Sequence, residues 1–334
     1  MVASLLVGGW YFFRGWKEGF HWDLFLGTFQ KLDPLWIAAS VGLALITYFG
    51  RALRWRVLIR HQKAHVSLVR LFVATAIGFT AIVLFGRPGE MVRPFLIAKK
   101  EQLSFSSQMA AWLLERIYDL MMALFVFGLA LSRVHASGVQ AGDSIRWVLE
   151  LGGWFVAAVG GVCIFVFIAL RQFGDRSERR IRDALRILPE RYRDRAEGLV
   201  HAFAQGVHST RNWWAVLEIL VLSIIEWLLI VGCYYCIFRA SPDVAHFGLM
   251  DVLIFVGFVS FGAVIQIPGV GGGMQLVSIL VLTELFGIPV EVSTGLAMVL
   301  WSITFVVIVP IGLLLAFREG LNWSKLRHIE EEVL

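Results

Sequence analysis

An apolar run from Leu71 to Phe85 stops at Gly86-Arg87-Pro88-Gly89-Glu90-Met91-Val92-Arg93, a Gly-Pro-Gly tip that carries three charges. The run is shorter than the ~20 apolar residues that a spanning helix wants. Ionisable groups and irregular backbone are costly at membrane depth, and are tolerated there only inside protein or along a wet cavity. An apolar run that halts on such a tip therefore reads as a half-membrane element presenting a polar site. The alternative is an ordinary helix end with Arg87 in water.

Composition decides the solvent. The 334 residues are 58% hydrophobic and 16% charged, and mean hydropathy is +0.74. A soluble domain is usually ~45–50% apolar and ~25% charged, so the class is all-α, a polytopic helical membrane protein. Thirteen Trp and 26 Phe suit interfacial belts and lipid-facing surfaces, and 32 Gly suit close helix packing. The basic residues sit in juxtamembrane loops, which argues against nucleic acid as a partner and leaves membrane lipids. A homo-oligomer stays open. Cys233 and Cys236 have a C-x-x-C spacing inside an apolar helix, where they read as small packing residues. His61 and His65 lie i,i+4 with no third ligand nearby, which reads as a solvated loop.

Residues 2–13 read as a first membrane helix rather than the apolar core of a signal peptide. Full spans are expected at Pro34–Trp55, Ser106–Leu131, Trp147–Leu170, Trp213–Phe238 and Val292–Phe317. Arg51, Arg54, Arg56, Arg60, Lys63 and Arg70 crowd the end of the first of these, and the positive-inside rule puts that end in the cytoplasm. Residues 171–211 are again arginine-rich, with Ile181, Leu185 and Leu188 at helical spacing, and read as a cytoplasmic connector lying against the membrane. Arg318, Lys325 and Arg327 place the C-terminus inside as well. The expected location is the cell inner membrane, with both termini cytoplasmic.

The charge rule also makes segment 71–105 enter and leave on the cytoplasmic side. The same count makes segment 250–290 enter and leave from outside. The latter has two short apolar arms, Val252–Ile267 and Met274–Phe286, around Pro268-Gly269-Val270-Gly271-Gly272-Gly273. Paired broken segments in corresponding halves point to an inverted repeat with its site at the midplane. The expectation is one transmembrane domain, 1–334, of about six spans plus two re-entrant broken hairpins. Residues 34–131 form the first repeat and 213–317 the second, inverted one.

Arg87, Glu90 and Arg93 recur at i,i+3, a spacing that pairs charges along a helix while leaving a guanidinium to bind phosphate through its planar fork. Glu115, Arg116 and Asp119 lie one to two turns inside a span, with Glu115 and Asp119 on one face. They either neutralise the tip's arginines in a buried network or position them, and both roles are compatible. At the second tip, backbone N–H groups near Met274 and Gln275 could receive an anion, although a tight bend needs glycine regardless. Gln266, Glu284 and mid-span Glu226 are further polar candidates. No Ser/His/Asp set, metal cluster, P-loop or nucleotide fingerprint occurs, so neither a cofactor nor an enzyme activity is expected, and transport would run downhill or on an ion gradient.

Four stretches occur in a set order: Arg51-Ala-Leu-Arg54-Trp55, the Gly86–Arg93 tip, Glu115-Arg116-Ile-Tyr-Asp119 and Pro268-Gly269…Gly271. This set resembles the flippase-like transmembrane domain of the lysylphosphatidylglycerol synthase family, the membrane half of the multiple peptide resistance factor. The resemblance covers nearly the whole chain and implies a polytopic lipid-handling protein. It brings Arg51, Arg54, Pro268, Gly269, Gly271, Gly272 and Gln275 into the candidate site. The family's late motif reads Pro-Gly-Gly-x-Gly followed by Glu; here Val270 and Gln275 replace the second Gly and the Glu, which removes a titrating group. The soluble aminoacyl-transferase domain of the full-length synthase is not expected.

The reading is a translocator of an anionic or phosphate-bearing lipid. Arg87, Arg93 and Arg51 would hold the headgroup, and Glu90, Glu115 and Asp119 would orient them. An intramembrane enzyme acting on a headgroup, with Glu90 or Glu115 as base, and an accessory subunit are the alternatives. Topology is checked by impermeant thiol reagents: single cysteines near 60 and 190 should label only from the cytoplasm. One placed near Gly89 should label slowly from either side. Fast external labelling there would exclude the hairpin.

Overall fold

The structure, a computed structural model, describes residues 20–137, 143–172, 190–207, 212–262, 266–267 and 271–320. The N-terminal run 2–13 and Pro268 and Gly269 lie outside them. In order come α1 (Trp22–Gln30), α2 (Pro34–Ile59), α3 (Leu68–Phe85), a 3₁₀ turn (Arg87–Met91), α4 (Val92–Glu101) and α5 (Phe105–Ser137). Then follow α6 (Asp143–Gln172), α7 (Glu190–Val207), α8 (Trp213–Ala240) and α9 (Leu249–Gly262). The two-residue strands β1 (Gln266–Ile267) and β2 (Gly271–Gly272) pair antiparallel before α10 (Gly273–Glu284), and α11 (Val290–Trp301) and α12 (Ile308–Arg318) close the chain. Among the described residues five helical stretches are long and apolar enough to cross a membrane: α2, α3, Gly152–Ala169 of α6, α8 and Val290–Arg318. At 33 residues, about 50 Å, α5 has the length too, but it carries Glu115, Arg116 and Asp119.

The first broken segment departs from expectation in one respect. Ser67 caps α3 and starts it at Leu68 rather than Leu71, so the helix has 18 residues and a length of about 27 Å. It is long enough to count as a span by itself, yet it folds back. Gly86 takes φ 74°, a left-handed value that ends the helix. The chain then returns along α3: a methyl group on Gly89 would collide with the Ala81 backbone, and one on Gly78 with Arg93. At the base, Glu101 of α4 meets Lys63 at 2.7 Å and Arg70 of α3 at 3.5 Å. Both arms therefore start and finish at the same face, the one where α2 ends.

The second segment does the same from the other face. Helices α9 and α10 have 14 and 12 residues, about 21 and 18 Å, too short to cross a ~30 Å hydrocarbon core. Gly262 lets the end of α9 lie against the Gly273 carbonyl and Val277. Phe247 and Phe286 close the base with ring centroids 4.7 Å apart. That base adjoins the end of α8, where Asp33 N–H donates to the Ala240 carbonyl at 2.9 Å, beside the start of α2. Helices α2 and α8 run antiparallel, with Arg60 and Glu218 joined at 2.9 Å at their other ends. The hairpins thus point toward each other from opposite faces.

The described part of the connector, α7, packs on protein. Ser106 Oγ donates to the Leu199 carbonyl at 3.0 Å, and Gly206 abuts Ser107 and Ala110 of α5. The last span is interrupted by a π-turn at Ser302–Val306, and Gly312 beyond it lies against Thr80 of α3. A close backbone contact that only glycine permits gives a direct test. Gly89→Ala should lower the melting temperature in detergent by several degrees, since overpacking costs about 1–3 kcal/mol. Gly161→Ala, where nothing lies within 4 Å, should leave it unchanged.

Candidate functional site

Helical spacing assembles the charges. Arg51 and Arg54 lie three residues apart on α2, Glu115 and Asp119 four apart on α5, and Ser223 and Glu226 three apart on α8, so each pair shares a face. The three faces converge on Arg54, which is fully buried. Its Nη1 donates to Asp119 Oδ1 at 2.6 Å and Ser223 Oγ at 3.1 Å, and its Nη2 donates to Glu115 Oε1 at 2.9 Å. Glu226 Oε2 lies 3.4 Å from the same Nη1. One guanidinium therefore faces three carboxylates from two helices, a load that its planar five-donor fork can carry and a lysine could not.

The network extends both ways. Arg93, on the returning arm of the first hairpin, pairs with the other oxygen of Glu115. Its guanidinium stacks 4.1 Å from the Trp55 ring, whose Nε1 donates to Gln108 Oε1 at 3.0 Å. On the near side Arg51 reaches Glu226 at 2.8 Å and lies 4.9 Å from the Phe79 ring. Arg116, about 100° round α5 from Glu115, meets Asp119 at 3.2 Å. Burying charge this deep is tolerable only because each group faces an opposite one.

The near side opens into a cavity of about 400 Å³. Arg51, Arg87, Arg116, Glu90 and Asp119 line one end, and Ala44, Ile82, Leu120, Trp227, Val259, Phe261 and Phe305 supply apolar wall. Ala44 and Thr47 belong to the middle of α2, so the first tip reaches mid-height of that helix. Ser260, Met274 and Thr304 join from the second half, so both hairpins border one space. Arg87 pairs with Glu90 while its side chain stays 46% exposed. Among the described residues five arginines (51, 54, 87, 93, 116) stand against four carboxylates (90, 115, 119, 226), which leaves one positive charge in excess. An anion entering the polar end would balance it.

The predicted site residues divide accordingly. Arg51, Arg87, Glu90, Arg116 and Asp119 line the cavity; Arg54, Arg93 and Glu115 stand behind them as supports. Arg93 is therefore not positioned to hold a headgroup directly. At the second tip Gly271 and Gly272 form a strand, and Gln275 Oε1 accepts the Gly272 N–H at 2.7 Å, so that donor is engaged within the turn. Glu226, a mid-span candidate for lining a cavity, is instead buried in the network against Arg51 and Arg54. Ser223, Tyr48 and Thr304 escaped notice because a lone hydroxyl in a span carries little signal. Tyr48 donates to the Thr304 carbonyl at 2.6 Å, within the π-turn, and π-turns recur at functional sites.

The family model described as "Lysylphosphatidylglycerol synthase TM region" matches residues 1–312. A "UPF0104 membrane protein" of Methanothermobacter thermautotrophicus is 24% identical over 299 residues, covering 85% of each chain. No solved structure matches.

The two tiers of arginine should differ in stability. Arg54→Met should cost about 3–5 kcal/mol, because it strands buried carboxylates. Arg87→Met removes a half-exposed cation and leaves one buried carboxylate, Glu90, where Arg54→Met leaves three, so it should cost less. Thermal unfolding in detergent micelles compares them; equal losses would contradict the division.

Proposed function

The chain belongs to the lysylphosphatidylglycerol synthase transmembrane family, and from that premise we propose that it moves an anionic, phosphate-bearing lipid between membrane leaflets. The observation that carries the reading is the cavity: an arginine-rich end with one excess positive charge, continuous with an apolar wall, bordered by both hairpins. A lipid has this same division into charged head and apolar tail. Arg87 and Arg116 would take the phosphate, with Arg51 behind them, while Glu90 and Asp119 hold those guanidinium groups in place. The supports Arg54, Arg93 and Glu115 would keep the donors from collapsing into lipid.

Opposed hairpins suit alternating access, in which one half rocks against the other around a fixed central site. On this reading segments 34–131 and 213–317 are inverted repeats, the arginine-rich face is cytoplasmic, and the membrane is the inner one. Transport is favoured over chemistry because Glu90, Glu115 and Asp119 each face an arginine, and a general base would have to be freed first.

The test is translocation of labelled anionic lipid in proteoliposomes. Arg87→Lys keeps the charge but loses the fork, so transport should fall substantially while insertion is normal. Arg87→Ala should abolish it. If Arg87 served only to neutralise Glu90, Arg87→Ala with Glu90→Ala would restore transport, and full recovery would place the headgroup elsewhere.

A further inference from the structure

A second cleft, of about 430 Å³, opens at the arginine-rich face and shares no lining residue with the central cavity. Arg56 and Arg60 from the end of α2, His65 and Ser67 from the loop before α3, and Glu218 of α8 form its polar rim. Val57 and Val66, both buried, form its floor. Glu218 is committed to Arg60 at 2.9 Å. Arg56 is exposed, and no carboxylate pairs with it among the described residues. The cleft therefore combines an unspent guanidinium, a second guanidinium held in place by an ion pair, and an imidazole.

Its surroundings say what kind of ligand fits. One face of α8 runs Trp214, Glu218, Val221, so the acid on the rim is flanked by exposed apolar side chains, 73% for Trp214 and 46% for Val221. Two residues beyond Ser67 of the rim, Val69 in the first turn of α3 is 71% exposed. Exposed Trp at a helix start marks the level of lipid headgroups. A soluble anion would use the basic rim but none of the apolar flanks. A phospholipid would use both.

We propose that this cleft is a separate docking site for an anionic phospholipid, with its phosphate between Arg56, Arg60 and His65 and its acyl chains along Val69, Trp214 and Val221. It goes beyond the transport reading: the lipid held here stands at the membrane surface, with its headgroup outside the cavity.

The experiment uses the whole protein in nanodiscs of mixed phosphatidylglycerol and phosphatidylcholine. Val69→Cys carries a bimane fluorophore, the three native cysteines being buried. Brominated phosphatidylglycerol should quench it several-fold more than brominated phosphatidylcholine. Arg56→Gln should bring the two lipids to near parity, and Arg56→Lys should retain most of the preference. Because Arg56 is exposed, the Gln variant should elute monodisperse. A bimane at Phe317→Cys, equally exposed and beside Arg318, should show no such preference. Equal quenching at position 69, or the same preference at 317, would overturn the proposal by reducing it to a diffuse surface effect. Millimolar glycerol phosphate should leave the preference intact; its loss would make the site one for a water-borne phosphate. The readout is occupancy, so failure of the transport reading would leave this result standing.

Discussion

The fold depends on a single buried cation. Arg54 ties α2 to α5 and α8 through three carboxylates and a serine in a place where water cannot substitute for any of them. In lipid, helices gain little from hydrophobic association, so packing and polar contacts decide which helices meet. The Arg54 network is specific in that sense. Glu115 and Asp119 must face one way and Ser223 and Glu226 the other, which fixes the rotation of both partner helices. Arg93, drawn in by Glu115, then docks the hairpin's return arm onto the same point.

That arrangement separates holding from presenting. The innermost groups each meet an opposite charge, and Arg93 stacks on Trp55, while Arg51, Arg116 and Arg87 sit one layer out, at the edge of an open space. A rigid inner shell that positions an outer one is the usual way for a site to keep charged donors oriented in a medium of low dielectric. Tyr48 extends the idea across the molecule by binding the π-turn of the last span.

Much of this was legible in the sequence, because membrane burial makes charge conspicuous. Arg87, Glu90, Glu115, Arg116, Asp119 and Glu226 stood out as groups that a lipid-facing surface would not tolerate. The glycines at 86 and 89 marked where the first apolar run breaks. What was not legible depended on distance. Nothing in the local pattern says that Arg93 turns inward to Glu115 while Arg87 stays at the cavity, since the two share one spacing. The length of α3 was underestimated because Arg70 reads as a helix limit, whereas its side chain leaves the apolar face to reach Glu101. The hydroxyls of Tyr48 and Ser223 gain meaning only from partners 256 and 169 residues away.

The two hairpins are fastened at their bases by different forces. The first is held by ions, Lys63 and Arg70 on Glu101, at a surface where dissolved salt can reach the exposed cations. The second is held by two phenylalanine rings. Glu101 itself is buried, so salt acts only at the exposed ends of Lys63 and Arg70, whereas ring contacts are indifferent to it. The two bases are thus fastened unequally: only the first responds to ionic strength, and only in part.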